Sequence, residues 1–463
     1  MNFLSELQKS AMSMNGQFMK TKQALEWIKD QNKQVNVSIE KTSIYKINGW
    51  NFEDELGVLK HQSGGFFSIE GINVKTNKEQ LNDWDQPIIN QPEIGYLGFL
   101  VKYINGILHF LVQAKIEPGN INHVQLSPTI QATKSNYTLK HKGKTPRYLE
   151  YFVNASAKNI LLDQLQSEQG ARFLKKRNRN IIVLINKEVK VYENFTWLSL
   201  GQIKQLMLYD NVVNMDTRTV ISGIPLFGNQ SIISKTLVNT KNSTFSKFLI
   251  KNSTFEVNNF SSILSFITTQ KCKYELKVTY KPLNRLQNWN IGEFEIHHNK
   301  NLYFNVIGAN ISINNREVHN WSQPLIQPKQ KGLCGFIIKI INNIPHFLVQ
   351  SKLECGNFDT IELAPTVQCL TGDYTKSDKN SIPYLEFILN AKKENILFDV
   401  MQSEEGGRFF QEENRNIMII VDDQFSEKVQ EDFIWMTITQ IQLLIQFNNF
   451  FNIQARSLIA HLI

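Results

Sequence analysis

Only four cysteines occur in 463 residues, at Cys272, Cys334, Cys355 and Cys369, all in the second half of the chain. They make no CxxC pair and no Cys/His cluster, which argues against a disulfide framework and a structural zinc site and makes a reducing, cytoplasmic setting the expectation. Long apolar runs are missing too. No stretch approaches the roughly 20 residues of a membrane span, and the opening MNFLSELQKSAMSMNG has neither the apolar core nor the cleavage site of a signal peptide. Basic runs are short, the longest cluster being Lys175-Lys176-Arg177-Asn178-Arg179. The net charge of +8 therefore predicts an anionic partner without pointing to a nucleic-acid tail. The rest is ordinary globular composition, 42% hydrophobic and 20% charged, with enough apolar residue for large cores.

The strongest signal present is internal self-similarity. HFLVQAKIEPGN from His109 and HFLVQSKLECGN from His346 match at nine of twelve positions. At the same spacing Trp84-DQPII meets Trp321-SQPLI, and LSPTIQA from Leu126 meets LAPTVQC from Leu363. Downstream, Asp163-QLQSEQGARF meets Asp399-VMQSEEGGRF, and VNMDTRTVIS from Val213 resembles FNIQARSLIA from Phe451. The chain therefore divides into one repeat over residues 20–228, a linker over 229–259 rich in Asn, Ser, Thr and Lys with some helix at its end, and a second repeat over 260–463. Each unit is large enough to own a core, and the expected arrangement is a pseudo-two-fold intramolecular dimer with two related pockets.

Within one repeat the reading is α+β. Gly65 to Gly71, Phe99 to Ile116 with a turn at Asn105-Gly106, Tyr148 to Val153, and Asn180 to Ile185 read as strands. Asn159 to Glu168 reads as a helix ending before Gly170, and Leu198–Leu208 and Asn214–Ile221 read as two more.

The segment from Asp163 to Ala171 resembles the end of a Nudix box, in which carboxylates on a helix hold divalent cations. Asp163, Gln164 and Ser167 stand where that box has arginine and two glutamates, so only Glu168 and Gly170 remain. One carboxylate per repeat does not make a cation cage. The expectation is a Nudix-like fold without metal-dependent hydrolysis.

Taken together, W-x-Q-P, HFLVQ-x-K-x-E-x-GN, PT-x-Q, QSE-x-G-x-RF and NRN, present in both halves, resemble the NDP-hexose 2,3-dehydratases. The resemblance implies two tandem Nudix-like domains and a dTDP-4-keto-6-deoxyglucose substrate. It also implies two sugar-nucleotide pockets, a homodimer, and a 3-ketoreductase next in the pathway. No cofactor is required: the C4 ketone acidifies the C3 proton, a base removes it, and the C2 hydroxyl leaves with help from an acid, giving a 3,4-diketone. The rival expectations are a non-catalytic sugar-nucleotide-binding protein and a metal-dependent hydrolase. Cys355, in place of Pro118, is one departure between the repeats.

The candidate catalytic residues are Glu168, Lys115 and Tyr137. Their bland alternatives are a helix-end carboxylate paired with Arg172, an ion pair with Glu117, and a buried structural tyrosine. The candidate substrate-binding residues are Trp84, Gln166, Ser167, Gly170, Arg172 and Arg179 in the first repeat, and Trp321, Gln402, Ser403, Glu404 and Arg408 in the second. Arginine offers bidentate donors to a diphosphate and tryptophan a stacking face. Arg218 is weighed as a further diphosphate ligand against structural pairing. His109, His61 and His141 rank below these. Lys175-Lys176-Arg177 faces Gln411-Glu412-Glu413 in the second repeat, and Gln125 and Ser127 become Glu362 and Ala364. The first repeat's pocket is thus expected to be the working one.

Overall fold

The computed structural model describes residues 3–78, 82–137, 145–226, 256–314, 318–371 and 382–462. Most of the expected linker, His141 with its counterpart Asp378, and the second copy of the Asn136-Tyr137 segment lie outside these residues. The fold is mixed α+β, and the same order of elements recurs in both halves. In the first, Ile160–Ser167, Arg177–Leu184, Gly95–Ile104, Ile107–Ile116 and Phe195–Ser199 lie side by side in one sheet, with Val124–Ser127 and Ile130–Ala132 added to it. Arg177–Leu184 runs parallel to Gly95–Ile104, while the other pairs are antiparallel. The second half repeats this sheet around Gly332–Ile341.

The hairpin turn falls where the sequence places it, because Asn105 and Gly106 take φ of 50° and 78°. Such a turn needs left-handed residues at both centres. The helix Leu200–Leu206 is started by a capping box between Ser199 and Gln202, and Met215–Ser222 by the Asn214 side chain on Thr217 N.

Two local expectations are corrected. Tyr148 to Val153 is a short helix, Leu149–Val153, rather than a strand. Tyr148 turns left-handed at its start (φ 64°), and Leu149 and Phe152 are buried three residues apart on one face. Asn159 to Glu168 is a strand, Ile160–Ser167, rather than a helix. Its inward positions are Leu162, Gln164 and Gln166, and the glutamines hid the period-two pattern because a polar residue inside a strand reads as one outside. The Nudix-box comparison therefore loses the helix it was laid upon.

The repeats are not separable bodies. Val37–Thr42 of the first adds to a sheet of the second, with Val37 opposite Ile313 and Thr42 opposite Gly308. Leu276–Tyr280 of the second adds to a sheet of the first, from Leu276 opposite Thr76 to Tyr280 opposite Ile72. Each strand crosses over to close the other's edge. The expectation of separate cores is amended accordingly. Two apolar clusters are private, one around Phe152 and Trp197 and the other around Ile388 and Trp435. The largest runs through both halves, from Phe110 and Leu126 to Phe347, Leu363 and Leu458.

Candidate active site at the seam between repeats

The strand Ile107–Ile116 runs into Glu117-Pro118-Gly119-Asn120, and this loop docks on the Glu405-Gly406-Gly407-Arg408 loop of the other repeat. Gly119 N donates to Gly406 O at 2.7 Å, and Gln411 N donates to Gly119 O at 2.8 Å. A Cβ on Gly119 would stand 1.6 Å from Phe409 O, so only glycine fits this approach. The mirror seam repeats the contact: Gly356 N donates to Gly170 O at 2.7 Å, Lys175 N to Gly356 O at 2.8 Å, and a Cβ there would stand 1.7 Å from Phe173 O.

At the first seam Lys115 and Glu117 share a strand face, with Nζ 3.4 Å from Glu117 Oε1. Gln131 Nε2 donates to the same oxygen at 2.7 Å. Gln131 is oriented by Asn214 Nδ2 at 3.1 Å, and Asn214 also caps the helix that carries Asp216. The other carboxylate oxygen, Glu117 Oε2, is buried with no hydrogen-bond partner among the described residues, as is Arg408 Nε. The Cβ position of Gly407 lies 2.5 Å from Glu405 Oε1 and 3.5 Å from Glu117 Oε1, so a carboxylate from each repeat borders one small space. Glu168 accepts from Asn178 Nδ2 at 2.6 Å, and the Lys176 ammonium donates to Glu93 O. Arg408 stacks on Phe67 at 4.2 Å and donates to Gly407 O at 2.8 Å.

Burial dominates the electrostatics. It pushes Glu405 up to about 8, with Glu117 and Glu168 adding to the rise and Arg408 opposing it. It raises Asp216 well above the carboxylate range, helped by Glu405, Glu117 and Glu168. It raises Glu168 against the pull of Lys176, and lowers Lys176 to about 8 against the pull of Glu168. At about 8 the Glu405 carboxyl holds its proton at neutral pH, as a general acid must. Glu405 nevertheless keeps an accessible face, as a cleft residue does.

The mirror seam keeps the frame and loses two acids. Lys352 Nζ donates to Gln368 O at 3.2 Å, Gln368 Nε2 to Glu354 Oε1 at 2.9 Å, and Asn452 Nδ2 to Gln368 Oε1 at 2.8 Å. Glu354 Oε2 and Arg172 Nε are again buried without partners. Gln169 stands where the first seam has Glu405, Gln454 where it has Asp216, and Glu412 where it has Lys176.

The sequence candidates separate into groups. Lys115, Glu168 and Arg408 meet at the first seam, and Gly170, Arg172 and Glu404 lie at the second. Gln166, Ser167, Gln402 and Ser403 belong to a pair of buried arginine clamps across the pseudo-axis. Arg456 donates to Ser167 O at 2.6 Å and Gln166 Oε1 at 3.2 Å, while Arg218 donates to Ser403 O at 2.7 Å and Gln402 Oε1 at 2.8 Å. Arg218 is thus held by the other repeat, and among the described residues Glu404 and Asp216 act on it through charge rather than a direct ion pair. Arg179 is outside, in a two-point pair with Asp163 at 2.7 and 2.6 Å. Trp84 and Trp321 each donate to a glutamine two residues on, at 2.9 Å, and those glutamines hold Ala171 O at 3.0 Å and Gly407 O at 2.8 Å. The W-x-Q-P motif therefore positions the seam loops. Tyr137 is half-buried, edge-on to Tyr96 at 5.6 Å. Sequence reasoning missed Glu405 and Asp216; the signal was the mismatch with Gln169 and Gln454 in an otherwise faithful repeat. Among the described residues no three Asp, Glu, His or Cys side chains are disposed as metal ligands, and no helix is long and apolar enough to cross a membrane.

A family model described as NDP-hexose 2,3-dehydratase matches residues 21–224 and again 260–462. A Saccharopolyspora spinosa protein named dTDP-4-dehydro-6-deoxy-alpha-D-glucopyranose 2,3-dehydratase is 40% identical over 439 residues, covering 94% of this chain and 90% of that protein. Proteins of the same name from Streptomyces violaceoruber and Amycolatopsis orientalis are 38% and 36% identical, over 437 and 459 residues. They cover 94% and 97% of this chain, and 95% and 92% of their own lengths.

Proposed function

The chain belongs to the NDP-hexose 2,3-dehydratase family, and from that premise we propose that it removes water across C2 and C3 of dTDP-4-keto-6-deoxyglucose at the seam built on Lys115 and Glu117. The observation that carries this reading is the set of side chains converging there: a lysine, an arginine and several carboxylates, two of them replaced by glutamine at the mirror seam. The reaction needs a base for the C3 proton, an acid for the departing C2 oxygen, and a positive group for the charge on the C4 oxygen. Lys115 and Arg408 supply the positive groups. Charge placed in advance where an enolate develops contributes roughly 3–4 kcal/mol per donor. Tyr137, beside Tyr96, is the remaining candidate donor to that oxygen. Arg172, Gly170 and Glu404 line the second pocket, which binds without turning over.

Three further points belong to the proposal. Each repeat is a Nudix-like domain, supported by the mixed sheet with one parallel pair. The chain works in the cytoplasm as a homodimer and passes its diketone to a 3-ketoreductase. Chemistry by side chains alone is supported by the lysine, arginine and carboxylates gathered at the first seam.

The test is incubation of the purified full chain with dTDP-4-keto-6-deoxyglucose, a 3-ketoreductase and NADPH. NADPH is consumed only if the diketone forms. No consumption, with dTDP bound at both seams, would leave the binding-protein reading in its place.

A further inference from the structure

Resting on that reading, we propose that Glu405 of the second repeat is a catalytic residue of the first repeat's site, transferring protons together with Glu117 across the seam. The two carboxylates border the space left by the missing side chain of Gly407, at 2.5 and 3.5 Å from one point, so these two oxygens are no more than 6.0 Å apart. Glu117 Oε1 is taken by Gln131 at 2.7 Å and Lys115 at 3.4 Å, partners that suit an ionised carboxylate. Its second oxygen has no partner, although the residue is only 4% exposed. A buried carboxylate oxygen left bare costs several kcal/mol unless a ligand meets it. Arg408 Nε is bare as well. Burial, with Glu117 and Glu168 nearby and against the pull of Arg408, holds the proton on the Glu405 carboxyl up to about 8.

The division of labour follows. Glu117 takes the proton from C3, and the C–H electron pair forms the C3–C4 double bond as the C4 carbonyl becomes an enolate beside Lys115. The enolate closes back to the ketone, the C2–O bond breaks with its electron pair, and Glu405 gives its proton to that oxygen, releasing water. The product is then an enol with its hydroxyl on C3. Protonated Glu117 delivers its proton to C2, and the Glu405 carboxylate takes the one on the C3 oxygen. Both residues are reset, one water is lost, and no electrons enter or leave. At the mirror seam the position of Glu405 is taken by Gln169, an amide that cannot give or take a proton here. The working pocket therefore lies on the first repeat's strand but depends on a residue of the second.

The experiment is Glu405→Gln beside Glu117→Gln, in the full chain. Expected for Glu405→Gln are unchanged melting and dTDP affinity, turnover reduced about 10²–10⁴-fold, and continued exchange of the C3 proton with D₂O. Glu117→Gln loses both exchange and turnover. Turnover of Glu405→Gln within about tenfold of the parent, or a loss that tracks lost melting or lost dTDP binding, would overturn the assignment. Inactivity of the parent chain itself would instead strike the dehydratase reading.

Discussion

Replacing Gly119 by alanine probes the seam most directly. Its Cβ would sit 1.6 Å from Phe409 O, a backbone atom that cannot rotate away. The two loops must part by more than an ångström, and the bonds Gly119 N to Gly406 O and Gln411 N to Gly119 O lengthen together. Overpacking of this kind costs about 1–3 kcal/mol, and each lost bond about 1 kcal/mol. The expected destabilisation is thus about 3–5 kcal/mol. Gly356→Ala meets the same obstacle at 1.7 Å from Phe173 O and loses the same two bonds at the mirror seam. Urea denaturation of the two variants should give losses of similar size. Turnover of the folded fraction should not: Gly119→Ala displaces Glu405 from Glu117 and loses at least about tenfold, whereas Gly356→Ala keeps the parent rate. Equal losses of turnover in both, or a Gly119→Ala cost below about 1 kcal/mol, would refute the reasoning.

Arg218→Met removes donors from Ser403 O, Gln402 Oε1 and Val213 O in a fully buried clamp. It should cost about 3–5 kcal/mol, read as a lowered urea midpoint without a change in dTDP affinity per folded molecule. The pH dependence follows from Glu405. Its folded value of about 8 lies above the ordinary 4.5, so the native state holds a proton that the unfolded chain releases above 4.5. This group's contribution to stability is full below about 4.5 and declines as pH rises to about 8. The turnover rate falls over the upper part of the same range as the acid is lost, and a turnover profile rising through pH 8 would contradict this. Trp84→Phe keeps the ring but loses the indole bond to Gln86 that steadies Ala171. It should cost about 1 kcal/mol in thermal melts and leave turnover at the first seam unchanged.

Much of the fold was legible because glycine, asparagine and apolar residues announce backbone geometry locally. Asn105-Gly106 named its turn, and the apolar spacing placed the helices Leu200–Leu206 and Met215–Ser222 to within two residues at each end. What stayed hidden was non-local. Gln166 faces inward because the other repeat supplies a partner, Ile445 O at 2.6 Å, and Gln166 in turn donates to Gln164 at 3.0 Å. No window around residue 160 contains that information. The same holds for the site: Lys115 was picked from its strand, whereas Glu405 became visible only once the loops were seen to meet. The repeated Trp-x-Gln-Pro blocks looked like ligand stackers because a motif shared by two copies reads equally well as chemistry or as carpentry. Their indole bonds identify carpentry.

The exchanged strands carry a consequence for how such a chain can vary. Cutting it between the repeats would strip each half of an edge strand and bare the apolar face beneath, so the halves are expected to find each other again or aggregate. As a dimer of identical subunits, the same architecture would print every substitution into both clefts. Covalent union removes that restriction, since positions 169 and 405 are written separately in one chain. One cleft can give up its acids and remain a nucleotide perch while the other keeps them.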